Sequence, residues 1–213
     1  MISSYWAVGG LINIFGTDGY ATIILNVGSE MSMLRFVTTN RHKFREMQEI
    51  GGKHGITLEI VEMSYPEIQS PELEEVAVEG ARYLSSELGR GFFVEDSGLF
   101  IESLGGFPGP YSSYVQKTVG NDGILRLLGN SRERAAHFLS VICHFDGDFK
   151  VYEGRVEGKI TPECRGNSGF GFDPIFCPEG SGLTFAEMGG VKNKFSHRAR
   201  CAEIFFRSLP DAG

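Results

Sequence analysis

The chain has 213 residues, of which 41% are hydrophobic and 22% are charged, and its formal net charge is −7 at pH 7. These values are typical of one sizeable globular domain, and the acidic balance argues against a general nucleic-acid binder, which needs a basic face for phosphates. The four cysteines are scattered without a Cys-x-x-Cys pair. They therefore predict reduced thiols in a cytoplasmic protein and indicate neither a zinc site nor a disulfide framework.

Residues 1–32 differ in composition from the rest of the chain. They contain no Lys or Arg, and Asp18 and Glu30 are their only charged residues. A signal peptide requires a positively charged start, and the two apolar runs of this segment are too short to span a membrane. We therefore expect residues 1–32 to lie outside a catalytic domain formed by residues 33–213, with no membrane association.

The first regular elements are predicted to be a strand and two helices. Residues 33–38 have the pattern of a strand, and a polar turn leads from them into a helix with one apolar face. From Pro71 onward a second helix is predicted, because apolar residues recur at helical spacing between Leu73 and Leu88. A strand followed by a polar turn and a helix directs backbone N–H groups toward the space above a sheet.

The most informative segment follows the second helix. Residues 92–94 predict a buried strand, which ends at the carboxylates Glu95 and Asp96 and leads into a glycine-rich loop. Such carboxylates need a metal, water or a partner, because an unpaired buried charge is costly, although Asp96 could equally cap a turn at Ser97-Gly98. Neighbouring strand residues point to opposite faces, so we expect only one of the two to face a cleft. Asp96 is the better candidate, and Glu95 is expected to support it or to bind a second metal.

The remainder of the chain predicts a mixed sheet. A short helix at residues 124–128 ends at Gly129, and strands at residues 136–145 and 149–160 form an antiparallel hairpin. A last helix begins after Ser196, which is a good N-cap residue. The sequence therefore predicts one α/β domain with a mixed β-sheet.

Polar residues cluster in four loops, where binding sites are usually built. The hydroxyls, amide and lysine of residues 38–43 suit a triphosphate, although a solvated helix start is the simpler interpretation. Aromatic rings in the glycine-rich loop at 169–173 can stack on a base, and Asp173 can accept hydrogen bonds from it, although core packing would also explain the rings. Ser196 is not a hydrolase nucleophile, because the G-x-S-x-G motif is absent, and kinase signatures are also absent.

In this order, the clusters resemble the inosine triphosphate pyrophosphatase family of non-canonical purine nucleoside triphosphate pyrophosphatases, in a form similar to its archaeal members. The likeness covers about residues 33–209. The matching motifs are T-x-N-x-x-K at 38–43, P-E-x-Q at 66–69, E-D-S-G-L at 95–99, G-G-x-P-G-x-Y-S at 105–112, G-F-G-F-D-P-I-F at 169–176, and F-A-E-M with K-N-x-x-S-H-R at 185–198. Several motifs in one order are far more specific than any one alone.

The resemblance implies an elongated mixed β-sheet flanked by helices, with two lobes and an active-site cleft between them. It implies a cytoplasmic, homodimeric enzyme that uses Mg²⁺ to split ITP, dITP and XTP into a monophosphate and pyrophosphate. By the same resemblance, Asp96 would be general base and metal ligand, and Glu67 a second metal ligand. Substrate contacts would come from Thr38, Thr39, Asn40, Arg41, His42, Lys43, Ser97, Phe170, Gly171, Phe172, Asp173, Lys192, His197 and Arg198.

The chain departs from the family pattern at three places, and two other functions stay open. Glu79-Gly80 stand where some members carry a lysine, so one phosphate contact is either missing or supplied by Arg82. Val191 stands where many members have a glutamate, and Phe172 stands where many have Tyr or Trp.

The two alternative functions are a related pyrophosphatase for another modified nucleotide and a catalytically silent nucleotide-binding module. Retention of metal and phosphate ligands together argues against the silent module.

Overall fold

A computed structural model describes residues 33–210 and, before them, the backbone of residues 14–15 and 22–23. Strands β1 (Ile14–Phe15) and β2 (Thr22–Ile23) pair with each other in antiparallel fashion. The prediction that residues 1–32 lie outside the catalytic domain concerns residues that, apart from these four, lie outside the described part of the chain.

Residues 33–210 form one α/β unit. Its strands are β3 (Leu34–Val37), β4 (Leu58–Val61), β5 (Phe92–Ile101), β6 (Pro108–Gly109), β7 (Ala135–Phe145), β8 (Phe149–Ile160) and β9 (Phe176–Pro178). Its α-helices are α1 (Arg41–Lys53), α2 (Leu73–Leu88), α3 (Ser112–Thr118), α4 (Gly120–Leu128), α5 (Phe185–Met188) and α6 (His197–Ser208). Two 3₁₀ helices span Glu102–Leu104 and Gly189–Lys194.

The seven strands form one mixed sheet in the order β4-β3-β5-β7-β8-β9, with β6 paired to β5. Strands β4, β3 and β5 run parallel, whereas β5, β7, β8 and β9 pair in antiparallel fashion. The α/β class, the mixed sheet and the hairpin of β7 and β8 are therefore confirmed.

The prediction that the strand ends at Val94 is wrong. Strand β5 continues through Asp96, Ser97 and Gly98 to Ile101, and it pairs with β7 in unbroken register from Phe92 to Ile101. Local turn chemistry is overridden here because ten consecutive residue pairs with β7 hold the segment extended. Asp96 therefore lies within a strand rather than in a turn.

The hydrophobic core has clusters at both ends of the long strands. One cluster lies between the second half of β5, the first half of β7 and helices α3 and α4, with Phe138 and Phe176 among its members. At the other end, α1 and α6 pack on one face of the sheet and α2 packs on the opposite face. The sheet is thus flanked by helices, as predicted.

One edge of β5 is open over a short stretch. Strand β3 pairs with β5 only as far as Phe93, and β6 begins to pair with the same strand at Leu99. Between these two points, none of the described strands covers this edge, while the other edge stays paired with β7. Residues 94–98 therefore border a gap in the strand pairing of the sheet.

None of the described helices is long and apolar enough to cross a membrane. All four cysteines are free thiols; Cys143, Cys177 and Cys201 are buried, and Cys164 is exposed. The described residues include every cysteine of the chain.

Candidate active site

A cavity of about 440 Å³ lies at the open edge of β5. This volume is within the usual range for small-molecule sites. Its walls come from segments that are far apart in sequence: residues 37–40, 43, 63–65, 67, 95–97, 110, 112–113, 116–117, 138, 170–173, 192 and 197–198. The sheet therefore brings most of the predicted site residues to one place.

Both acidic residues of β5 border this cavity, but the Asp96 side chain is 23% exposed and the Glu95 side chain is wholly buried, in agreement with the expectation that only one of them would face a cleft. Lys43 Nζ lies 3.0 Å from Glu95 Oε2 and 3.9 Å from Asp96 Oδ1. Lys43 also donates a hydrogen bond of 3.1 Å to the Glu95 carbonyl oxygen.

Glu95 is held as a fixed negative charge. Its side chain is wholly buried, accepts a 2.6 Å hydrogen bond from Ser140 Oγ and lies 3.2 Å from Arg198 Nε. Burial alone would raise its pKa, but the Arg198 guanidinium and the Lys43 ammonium outweigh that effect and hold the pKa well below its usual range. The prediction that Glu95 supports the site rather than acting alone is consistent with these contacts.

Asp96 lies in the opposite electrostatic situation. Burial and the nearby Glu95 and Glu67 carboxylates raise its pKa to about 6, against the pull of Lys43. Its only short hydrogen bond in the described structure is a 2.8 Å contact from the Ser97 backbone N–H. Asp96 therefore lines the cavity and, among the described residues, has only the distant Lys43 ammonium to balance its negative charge.

A network of buried ion pairs connects Glu95 to the N-terminal end of helix α6. Arg198 is 1% exposed, donates to Glu46 through Nη1, and donates a 2.9 Å hydrogen bond to Ser97 Oγ through Nη2. Lys192 Nζ lies 2.9 Å from the other Glu46 oxygen. Glu46 thus joins two predicted site cations, and it was missed because a glutamate on an amphipathic helix has the pattern of a solvent-exposed residue.

Asp173 anchors the aromatic loop. Its Oδ2 accepts a 2.7 Å hydrogen bond from Lys192 Nζ and a 2.9 Å hydrogen bond from the backbone N–H of Phe170. Phe172 is almost wholly buried in the core, whereas the half-buried Phe170 ring lies with its centroid 4.9 Å from Lys192 Nζ. Phe170 is therefore the better placed of the two rings for contact with a ligand.

His197 is a neutral, buried histidine on the cavity wall. Its ring stacks on Phe138 with centroids 4.4 Å apart, and its Nδ1 has no hydrogen-bond partner among the described residues. Burial and the nearby Arg198 and Lys192 cations lower its pKa well below the usual value. A polar group of a ligand could satisfy this nitrogen.

Two local features position the start of helix α6. Ser196 caps the helix, because its Oγ accepts a hydrogen bond of 3.1 Å from the Ala199 N–H, as predicted. Gly154 on β8 allows a close approach, since a Cβ there would lie 2.3 Å from the His197 carbonyl oxygen and the Cys201 nitrogen. Close packing at Gly154 therefore fixes His197 and Arg198 relative to the sheet.

Not every predicted residue reaches the cavity. Arg41 pairs with Glu62 on the surface, and His42 stacks on Phe170 with centroids 5.2 Å apart, but neither lines the cavity wall. Asn40 does line it, but its side-chain oxygen caps helix α1 by accepting hydrogen bonds from the backbone N–H groups of residues 42 and 43. Thr38, Thr39 and Lys43 line the wall beside it.

Of the two possibilities left open at Glu79-Gly80, the structure favours a missing contact over one supplied by Arg82. Arg82 pairs with Glu79, lies over the Phe149 ring and does not line the cavity. The Tyr65 ring occupies the space above Gly80, where a Cβ would lie 2.5 Å from Tyr65 Cε2. Tyr65 and Lys117 both line the cavity, and neither is among the predicted site residues.

The donor set of the cavity fits a hard divalent cation. The described lining residues include four cations, Lys43, Lys117, Lys192 and Arg198, and four carboxylates, Glu67, Glu95, Asp96 and Asp173. The cavity therefore offers no excess positive charge to a triphosphate. Glu67 and Asp96 are the two carboxylates without a short ion pair, and Mg²⁺ typically binds through one or two carboxylates together with substrate phosphates.

The fold and the cavity define an α/β protein with a polar, nucleotide-sized cleft built on a network of buried ion pairs. The chain belongs to the Ham1 family, whose model matches residues 34–208. The resemblance inferred from the motifs is thereby confirmed.

Curated relatives and solved structures agree with this assignment. The chain is 51% identical over 179 residues to the dITP/XTP pyrophosphatase of Thermococcus kodakarensis, covering 84% of this chain and 97% of that one. It is 47% identical to that of Pyrococcus horikoshii, covering 82% and 95%. A HAM1 protein from Coxiella burnetii matches with TM-score 0.70 and 30% identity, covering 82% and 98%. The Staphylococcus aureus Ham1 protein matches with TM-score 0.69 and 27% identity, covering 81% and 96%.

Proposed function

We propose that this protein hydrolyses the non-canonical purine nucleotides ITP, dITP and XTP to the monophosphate and pyrophosphate. The observation that carries the proposal is a single cavity that combines the weakly compensated Asp96 carboxylate, Glu67, Lys43 and the Phe170 ring. The names of the archaeal relatives, at about half identity and nearly full coverage, support the same activity.

Asp96 is proposed as the general base. Water attacks the α-phosphorus, the bond from that phosphorus to the bridging oxygen breaks, and pyrophosphate leaves while Asp96 accepts the proton. With a pKa of about 6, Asp96 is mostly ionised at neutral pH and is more basic than an ordinary aspartate. Glu95, fixed by Arg198 and Lys43, stays ionised and keeps Lys43 in position beside Asp96.

Glu67 and Asp96 are proposed to hold Mg²⁺, which when bound would offset charge on the phosphates and on the departing pyrophosphate. Lys43, with Thr38 and Thr39 beside it, is placed to contact the triphosphate from the start of helix α1. Lys117 on α3 adds a further cation to the lining of the cavity. Asn40, Ser97 and Lys192 are also proposed as substrate contacts, because they line the same cavity.

The purine is proposed to stack on Phe170 and to be recognised near His197 and Arg198. Hypoxanthine and xanthine carry a 6-oxo group, which a donor in this wall can contact, whereas adenine carries a 6-amino group that would leave the donor unpaired. Gly171, Phe172 and Asp173 complete this part of the cavity. The unpartnered Nδ1 of His197 supplies a further polar contact.

We further propose that residues 33–213 carry the activity, that residues 1–32 lie outside the catalytic domain, and that the enzyme is a cytoplasmic homodimer. The family match, which begins at residue 34, supports the first two statements. Activity of a chain that begins at Met33, together with its mass in solution by light scattering, tests the domain boundary and the dimer.

The decisive experiment measures pyrophosphate release from ITP, XTP, dITP, ATP, GTP and dUTP, with and without Mg²⁺. We expect rapid release from the first three nucleotides only, and only with Mg²⁺. Equal rates on ATP and ITP would overturn the proposed specificity. Tight binding of ITP without turnover would instead identify a silent nucleotide-binding module, and a preference for dUTP would identify a related pyrophosphatase for another nucleotide.

A further inference from the structure

Three metal-ligating side chains meet on the sheet outside the cavity. Glu102, His137 and Glu157 each offer one ligand atom, and these atoms all lie within 4.8 Å of one another. None of the three lines the candidate active site. Ligand atoms about 2 Å from one metal ion lie 3–4 Å apart, so a modest adjustment of the two exposed glutamate side chains would bring all three atoms to coordination distance of a single ion.

The sheet itself produces this juxtaposition. His137 on β7 lies directly opposite Glu157 on β8, and on its other side it lies opposite Phe100 of β5. Directly opposite residues in antiparallel strands carry their side chains on the same face, about 5 Å apart. Glu102 is the first residue of the 3₁₀ helix that follows β5, so the three ligands come from two adjacent strands and from the end of a third.

The histidine is fixed and has an unused nitrogen. Its ring is parallel to the Phe100 ring, with an interplanar angle of 1° and centroids 4.9 Å apart. Nδ1 of His137 is buried and has no hydrogen-bond partner among the described residues. Within that part of the chain Glu102 forms no ion pair, whereas Arg155 pairs with Glu157.

We propose that Glu102, His137 and Glu157 form a second metal site, which binds a divalent transition-metal ion of the Zn²⁺ class and links β5, β7 and β8. One imidazole nitrogen with two carboxylate oxygens is a donor set that suits Zn²⁺, and water would complete the coordination. Mg²⁺ prefers oxygen ligands alone, so this site differs in metal preference from the cavity. Its role is to stabilise the sheet, because binding to the folded state alone raises stability.

The test is Zn²⁺ binding by the full chain, without nucleotide and with excess Mg²⁺ to occupy the cavity carboxylates. Calorimetric titration should give one Zn²⁺ per chain at this site. The melting temperature should rise by about 5 °C at a hundredfold excess of Zn²⁺ over its Kd. His137→Gln and, separately, Glu102→Gln should each weaken Zn²⁺ binding at least tenfold, and Glu102 is exposed, so its substitution leaves the core intact.

The control is Glu153→Gln, which removes an exposed carboxylate from the same strand as Glu157 without touching the cluster. This variant should bind Zn²⁺ like the wild type. The proposal is overturned if the wild type shows no Zn²⁺-dependent rise in melting temperature, or if His137→Gln and Glu102→Gln bind as tightly as Glu153→Gln. Because both readouts are independent of nucleotide hydrolysis, failure here leaves the proposed enzymatic activity unaffected.

Discussion

Glu95 and Asp96 are adjacent on β5 and line one cavity, yet the pKa values of their carboxyl groups are shifted in opposite directions. Burial raises both, but Arg198 and Lys43 reverse the shift at Glu95, whereas at Asp96 the neighbouring carboxylates add to it. One group is therefore a permanent charge, and the other exchanges its proton near neutral pH.

Asp96→Asn should lower the turnover of ITP by about 10²–10⁴-fold, because the variant has no base to accept the proton of the attacking water. It should fold at least as well as the wild type: the raised pKa of Asp96 means that its ionised carboxylate lowers the stability of the folded state at neutral pH, and the neutral amide removes that cost. Single-turnover ITP hydrolysis and thermal unfolding check both statements. Undiminished turnover would remove Asp96 from its proposed role.

Glu95→Gln should instead destabilise the fold by about 3 kcal/mol at pH 7, because it removes a buried partner of Arg198. The sign of the pH dependence follows from the lowered pKa. Glu95 contributes stability above its unfolded pKa of about 4.3, and this contribution is lost as the pH falls below that value. Urea denaturation between pH 3 and 7 should therefore show the two proteins converging toward acid pH; a constant difference would contradict this account.

Metal binding should depend on pH through Asp96. Protons compete with the metal for a carboxylate whose pKa is about 6, so Mn²⁺ affinity should be about fourfold weaker at pH 5.5 than at pH 7.5. Glu67→Gln should weaken binding at both pH values, and Asp96→Asn should abolish the pH dependence. Mn²⁺ titration by electron paramagnetic resonance measures all three. A steep pH dependence that survives in Asp96→Asn would assign the proton to another group.

Phe170→Ala should raise the KM for ITP by about tenfold with a smaller effect on kcat, because base stacking on an aromatic ring contributes about 1–3 kcal/mol. Phe195→Ala is the matched control, since Phe195 is half-exposed and does not line the cavity. Steady-state kinetics with ITP and XTP compare the two variants. An equal effect of both substitutions would indicate a general loss of stability rather than loss of stacking.

Gly80→Ala should displace Tyr65 from the cavity wall, because the new Cβ would lie 2.5 Å from the ring. We expect a destabilisation of about 1–3 kcal/mol in the wild type. In a Tyr65→Ala background the same substitution should be nearly neutral, and the double-mutant cycle from urea denaturation gives the coupling. Additive effects would show that the two residues do not constrain each other.

The sequence predicted the elements whose signal is local. Helix α2 followed from its apolar spacing, the hairpin of β7 and β8 from its turn, and the cap of α6 from Ser196. What it could not predict depends on contacts between distant segments. The continuation of β5 past Asp96 requires β7, and the burial of the Glu46 carboxylate requires Lys192 and Arg198. A polar residue on a helix looks solvated until its partner is known.

The ion pair of Arg198 with Glu95 joins segments that are separated by about half the chain. A nascent chain that has emerged only as far as Asp173 already contains β5 with Glu95, but not the guanidinium that balances it. The wall of the cavity therefore reaches charge balance only after α6 docks on the sheet. The residues that complete the cleft are thus made last, after every strand of the sheet that supports it.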